Sequence, residues 1–435
     1  MTENLHYPQW FLNHLTNFTS YSSIKIMTTP LRFFFPTNVS FSYEALRAAG
    51  YANIGGADLA EVIAICSRIP AGDEQQWLQE WRAAGDRAAK NAEQSLAANN
   101  KPSARDAFLR ASNYYRTAEF FRRENPTQDE ISKTLAHLSS NMFYSAAKLM
   151  SHITEKVNIP YEGTTLPGTV MRRDKSDQPR PIIIVNGGFD NPREELGYAV
   201  AAAALELGYN VLCFDGPGQG ETLREQRIVF RPDWEKVITP VVDFVFDQHY
   251  VDKEKVIIIG VSMGGYLVAR AAAFEHRAAA IILNDGVYDF ASAFRDNTPA
   301  IGKFLVKQGW DGVMNAMMRQ YMRWDTGFKW GVLNSQWAFG VSCEADVLRV
   351  VENYTLEGIV DKIKTPALVL DAPDDHFLKG QPLALFERLT CEKEFAKMSV
   401  EEGASAHCHM GSGGRLNQVI FDYLQRRVQQ TGHPS

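Results

Sequence analysis

The chain has 435 residues, 45% of them hydrophobic, enough for two or three domain-sized units around an ordinary buried core. A formal net charge of −6 offers no basic field to phosphate backbones or acidic lipid, which argues against nucleic-acid and membrane-surface partners and favours a small neutral or aromatic ligand. The five cysteines, Cys66, Cys213, Cys343, Cys391 and Cys408, are odd in number and never spaced Cys-x-x-Cys. That argues against a disulfide framework and a structural zinc site, and the thiols read as free in a reducing compartment.

The first thirty residues, with Glu3, His6, Pro8, Gln9 and Asn13, lack the charged-then-apolar order of a signal segment. No run in the chain reaches the roughly eighteen apolar residues a membrane helix needs. The expectation is a soluble, cytoplasmic protein. From about Phe41 to His152 apolar positions recur at three-and-four spacing, as in Ala104, Phe108, Ala111, Tyr115 and Ala118, which predicts an all-helical region within residues 1–155. The stretches 67–73 and 99–102 and the pair Asn125-Pro126 are its turns.

After Lys156 short β-branched runs alternate with helical stretches. The predicted strands are 181–185, 210–214, 255–259, 279–283 and 367–370, and helices are expected at 195–207, 234–249 and 416–428. Continuous apolar strands separated by helices imply a parallel sheet covered on both faces, so the expected class is α/β, with residues 156–290 and 359–435 forming the sheet domain. In that architecture ligands meet the carboxyl ends of the strands. About eighty residues between Asp285 and Ala367 break the alternation and predict an inserted helical cap at 291–358. Its methionines and aromatics, Met318 and Trp330 among them, either form the cap's own core or line a pocket for a flat apolar substrate.

Within the strand-to-helix passage at 255–266, Gly260-Val261-Ser262-Met263-Gly264 is a nucleophile elbow in its required setting. The turn holds Ser262 out at the sheet edge, with the N–H of Met263 free to face a developing oxyanion at a helix N-terminus. A serine hydroxyl needs a base, and the base needs an acid, in the chain order serine, acid, histidine. Four of the histidines that follow the elbow are worth considering as the base. His276 sits too near it, His376 abuts the candidate acids, and His409 reads as a loop neighbour; His407 lies in the loop before the last helix, where the base belongs. The acid is expected at Asp375, a short turn beyond a strand, with Asp374 as the close alternative. Asp285 and Asp289, after the preceding strand, are a weaker option that fits a pocket wall or helix cap better.

The second oxyanion donor is expected from Gly188 or Phe189, in Asn186-Gly187-Gly188-Phe189-Asp190 after the strand 181–185. Asp215-Gly216-Pro217-Gly218-Gln219-Gly220 lacks the Gly-x-Gly-x-x-Gly spacing and carries proline where phosphate-binding amides are needed, which rules against a nucleotide role.

These blocks, with Glu194-Glu195 and the loop Glu402 to Cys408, together resemble one branch of the α/β-hydrolases. That branch includes the 2,6-dihydropseudooxynicotine hydrolase and the fungal polyketide-shortening hydrolase of the yellowish-green pigment pathway. The likeness extends into the helical region, where Gly55-Gly56-Ala57-Asp58 and Arg110 to Arg116 look like the family's N-terminal lid; the stretch Trp10 to Tyr21 has no counterpart. The resemblance implies an α/β-hydrolase fold with a helical lid, a Ser262, Asp375 and His407 triad, and hydrolysis of a carbon–carbon bond beside a ketone. It implies a polyketide or similar secondary metabolite as substrate and neither metal nor organic cofactor. Asp190, Asp285, Met318 and Trp330 are the candidate pocket residues. An esterase, lactonase or acyltransferase with the same triad is the first alternative, and a non-catalytic ligand-binding protein on this scaffold the second. The expected partner is a small molecule; a homodimer is left open.

Overall fold

The computed structural model describes residues 30–431, so the readings made on the opening segment, Trp10 to Tyr21 included, lie outside the described residues. Helices come first: α1 (Val39–Ala49), α2 (Leu59–Cys66), α3 (Glu74–Ala97), α4 (Lys101–Glu119) and α5 (Glu130–Ala147). Each starts where a short polar side chain satisfies an orphan backbone donor. Asn38, Asp58, Asp73, Asn100 and Asp129 accept from Phe41, Ala60, Gln76, Ser103 and Ile131, respectively. The predicted turns fall between these helices, except that 101–102 already form the first turn of α4. Phe41, Trp77, Trp81 and Tyr114 fill the core they enclose.

The sheet region opens with an antiparallel hairpin, β1 (Ile153–Tyr161) and β2 (Thr164–Arg172). Then follow β3 (Arg180–Asn186), the short helices α6 (Arg193–Leu196) and α7 (Ala202–Glu206) joined by a π-helical turn, and β4 (Asn210–Phe214). Next come α8 (Gly220–Gln226), α9 (Glu235–Phe246), β5 (Val251–Val261), α10 (Gly264–Ala272) and β6 (Ala280–Asn284). The insertion folds as α11 (Ser292–Arg295), α12 (Ala300–Lys307), α13 (Asp311–Met322), α14 (Thr326–Phe339) and α15 (Glu344–Val350). The chain closes with β7 (Ala367–Asp371), α16 (Gln381–Arg388), β8 (Lys393–Lys397) and α17 (Gly413–Thr431).

Eight strands lie in the order β1-β2-β4-β3-β5-β6-β7-β8, parallel from β4 to β8. The apolar strands are continuous because both faces are covered. Ile182, Ile184, Val256, Ile258, Ile281 and Leu283 face one side, with Val237, Val241 and Leu267 of α9 and α10. Ile183, Val185, Ile257, Ile259, Ile282 and Leu368 face the other, with Leu416, Ile420 and Leu424 of α17. All five predicted strands are present; β1, β2 and β8 were not among them. The β1–β2 hairpin carries no continuous apolar run, and β8, Lys-Glu-Phe-Ala-Lys, is an edge strand whose lysines blunt further pairing. The predicted helix 195–207 begins two residues earlier and is interrupted at Gly197–Ala201. No helix among the described residues is long and apolar enough to cross a membrane, and all five cysteines are free thiols.

Candidate active site

Strand β5 ends at Val261, and Ser262 takes a left-handed φ of 60° before α10 begins. The turn is so tight that a β-carbon on Gly260 would lie 2.1 Å from the Gly264 carbonyl oxygen, which is why only glycine fits there. Ser262 is left half-buried at the carboxyl ends of the strands, with its N–H held by the Asn284 carbonyl of β6.

Two loops from distant parts of the chain converge on this hydroxyl. His407 is buried and its Nε2 lies 2.8 Å from Ser262 Oγ. Its Nδ1 lies 2.7 Å from Asp375 Oδ2. Nδ1 faces carboxylate, so the ring proton resides there and Nε2 accepts from the serine hydroxyl. Asp375 Oδ1 in turn accepts the N–H groups of Phe377 and Leu378, at 2.7 and 2.9 Å, which locks the carboxylate plane. Burial works against a charge on Asp375, yet the His407 charge and these hydrogen bonds hold its carboxyl well below the usual range. Burial likewise opposes a charge on His407, but the Asp375 charge outweighs it and raises the imidazole well above its ordinary value.

Asp374 is separated from this chain. Its Oδ2 accepts from Ser405 Oγ at 2.7 Å and its N–H donates to the Ser405 carbonyl, so it ties the β7 loop to the histidine loop. Asp285 is fully buried and its carboxylate is turned to the histidine loop. Its Oδ2 is 3.0 Å from His407 Nδ1 and accepts the Cys408 N–H at 3.0 Å. Burial raises the Asp285 carboxyl above the usual carboxylate range; its contact with His407 works against that, and the neighbouring Asp375 charge adds to it.

The oxyanion-side loop is resolved by its hydrogen bonds. Gly188 packs against the elbow so closely that a β-carbon there would lie 2.7 Å from Ser262 Cβ. Its own N–H is directed to Asn191 Oδ1 at 3.3 Å. The N–H groups of Phe189 and Met263 have no hydrogen-bond partner among the described residues. Of the two loop candidates, Phe189 therefore holds the free donor.

Above the strand ends, the Phe189 ring meets Phe230, Phe290, Trp330 and Phe339 with centroids 5.7–6.2 Å apart. Trp330 stacks on Phe120 at 4.6 Å and donates Nε1–H to the Phe120 carbonyl, so the cap and the helical region meet at this cluster. Two further pocket candidates make other contacts. Met318 packs with Leu305, Met314, Val332 and Ala345 in a separate small core of the cap, which uses its apolar side chain fully. Asp190 is claimed by Arg47 at 2.7 Å.

The helical region also reaches the site directly, through residues that sequence reasoning missed. Tyr43 of α1 donates its hydroxyl to the His407 carbonyl at 3.3 Å. One turn on, Arg47 joins Glu44, Asp190 and Glu195 in a buried ionic cluster, with Tyr51 donating to Glu195 at 2.8 Å. Apart from the i,i+3 pair of Arg47 with Glu44, no local pattern announces these contacts, which span 143 to 364 residues of chain. His376 lies beside the site without entering the chain: burial, then the His407 charge, pushes its imidazole down to about 4. His409, half expected to be a bystander, is buried with Nδ1 on the Ala404 carbonyl at 2.8 Å. One group among the described residues has metal-ligand chemistry, Asp285, His407 and Cys408, within 4.8 Å of one another; Asp285 and His407 are already paired there.

The arrangement defines a class: a hydroxyl, an imidazole and a carboxylate in line at an elbow of a parallel sheet, beneath a helical cap. Residues 182–419 match the α/β hydrolase family, and the chain belongs to that family. It is 34% identical to the hydrolase LUC6 of a Fusarium species, over 88% of this chain and 95% of that one. It is 33% identical to the 20-hydroxy-prefusarin hydrolase FUS2 of Gibberella moniliformis, over 88% and 95%. Among solved structures, the 2,6-dihydroxy-pseudo-oxynicotine hydrolase shares the fold with a TM-score of 0.67 at 20% identity, covering 86% of this chain and 94% of its own.

Proposed function

We propose that the chain is a serine hydrolase that cleaves a carbon–carbon bond next to a ketone in a β-diketone-like aromatic or polyketide metabolite. The observation that carries the reading is the unbroken hydrogen-bond relay from Asp375 through His407 to Ser262, beside two unpartnered N–H groups. In this scheme His407 Nε2 takes the Ser262 proton as Oγ attacks one carbonyl carbon, and the oxyanion forms against the N–H groups of Met263 and Phe189. The tetrahedral centre collapses by breaking the bond to the carbon between the two carbonyls. The departing enolate takes the proton from His407 and leaves as a ketone. A water then gives a proton to His407 and attacks the acyl-serine, releasing a carboxylic acid and restoring Ser262. Asp375 holds the imidazole in the required tautomer and stabilises its charged form. The aromatic cluster around Phe189 and Trp330 suits a flat, apolar substrate body.

The fungal relatives named as hydrolases support an enzyme, and 20-hydroxy-prefusarin as one relative's substrate supports a secondary metabolite. The test compares a model aryl β-diketone with simple p-nitrophenyl esters in H₂¹⁸O. Diketone cleavage with one ¹⁸O in the carboxylate product is the expected result. Brisk ester turnover with an intact diketone would move the reading to an esterase or lactonase.

A further inference from the structure

The block Asp215 to Gly220 delivers one side chain to the loop after β3, which packs on the elbow. Gln219 is almost fully buried, and each half of its amide is engaged. Oε1 accepts the Gly216 N–H at 3.0 Å, which fixes the amide's orientation. Nε2 donates to both the Gly187 and the Gly188 carbonyl oxygens, at 2.7 and 2.8 Å. The Gly187 oxygen also accepts from Asn186 Nδ2 at 2.7 Å.

These bonds bear on the direction of an N–H group. In a trans peptide the C=O and the following N–H point in opposite directions. Pulling the Gly188 carbonyl towards Gln219 turns the Phe189 N–H the other way, out of that contact. Gly188, on one side of that peptide, offers little torsional resistance, so the plane between Gly188 and Phe189 turns more readily unless something outside it holds the oxygen. On the far side, Asn334 of α14 donates to the Phe189 carbonyl at 3.3 Å, so the next peptide is held as well.

We propose that Gln219 is the positioning residue of the oxyanion site: its amide clamps the Gly187 and Gly188 carbonyls and thereby keeps the Phe189 N–H aimed at the oxygen that develops charge. This rests on the reading of Ser262 as an acyl-accepting nucleophile. Gln219 touches no reacting atom, and its effect is confined to the charged intermediate.

The test uses the full chain carrying Gln219→Met, which keeps bulk and removes both halves of the clamp, and Gln219→Glu, which keeps shape. The readouts are kcat and KM on a p-nitrophenyl ester and the rate at which a fluorophosphonate labels Ser262. Gln219→Met is expected to lower kcat and the labelling rate about 10- to 100-fold, towards the effect of losing one oxyanion donor, with KM within threefold. In Gln219→Glu an ionised carboxylate repels both carbonyl oxygens, whereas the protonated acid donates to one. Its deficit relative to wild type at the same pH therefore shrinks as pH falls. If Gln219→Met does not fold, Gln219→Glu alone decides. Normal kcat in either folded variant, a loss carried by KM alone, or a Gln219→Glu deficit that is flat with pH would overturn the proposal. A wild-type chain whose Ser262 resists the probe would strike instead at the nucleophile, and this proposal would fall with it.

Discussion

Two buried charge clusters meet at α1 and use the same raw material differently. On one side Tyr43 touches the histidine loop, where Asp285 and Asp375 share His407. On the other, Arg47 gathers Glu44, Asp190 and Glu195. Both place carboxylates out of water against a cation. The difference is whether the cation can give up its proton. A guanidinium cannot near neutral pH, so the Arg47 cluster is a permanent latch between the helical region and the loop after β3. An imidazole can, so the His407 cluster suits the proton transfer proposed for it.

The sharpest break in that comparison comes from the labile side. Ser262→Ala is expected to lower turnover by about 10⁴-fold or more, and adding His407→Ala should cost scarcely anything further, because the two act as a unit. Steady-state rates on the diketone or an ester check this, and fully additive losses would refute the shared mechanism. Asp375→Asn is expected to cost about 10³- to 10⁴-fold. Asp285→Asn should stay within about tenfold, because the amide keeps an oxygen to accept the Cys408 N–H and the Asp375 contact with His407 Nδ1 remains.

The pH profile sharpens the same side. His407 must shed a proton to act as base, and its folded value is raised, so the acid limb of kcat/KM should lie above 6.5. Residual activity in Asp375→Asn should show that limb moved downward, since the Asp375 charge is the main influence raising it.

The latch side responds in stability. Arg47→Met leaves Asp190 without its buried cation, and Glu44 and Glu195 with Arg116 alone, and is expected to destabilise the chain by about 3 kcal/mol in denaturant melts. Glu195 is held at about 2, where burial alone would raise it, by Arg116 and Arg47. A depressed carboxyl stabilises fully above its unfolded value, so this contribution should be complete at neutral pH and fade as pH falls from 4.5 towards 2. The smallest effect is expected at Asp374→Ala, about 1 kcal/mol for the Ser405 hydrogen bond, with less loss of activity than Asp375→Asn.

How legible each side was follows from how local its determinants are. The elbow is a strand, a strained turn and a helix within a dozen residues, so its glycines and β-branched run were visible without any fold. His407 could be reached by elimination, because chain order and loop position left one good histidine. The choice between Asp374 and Asp375 was not local: it depends on which side chain the 399–412 loop meets, and that loop takes Asp374 with Ser405. The contact of Asp285 with His407 was hidden for the same reason. The latch was illegible, since Arg47 sits on an amphipathic helix where a charged residue ordinarily faces water, and Glu195 in the charged run Arg-Glu-Glu, which reads as solvated. Gln219 was hidden in a block read only for what it could not bind. Strands β1 and β8 were missed because their sequences lack the apolar continuity that betrays the interior of a sheet.

The most direct measurement is acid-quenched peptide mass mapping during turnover of an ester or diketone. An acyl mass on the peptide containing Ser262, lost in Ser262→Ala together with turnover, is the predicted result. Turnover that persists in Ser262→Ala, or an acyl mass carried by another residue, would contradict it.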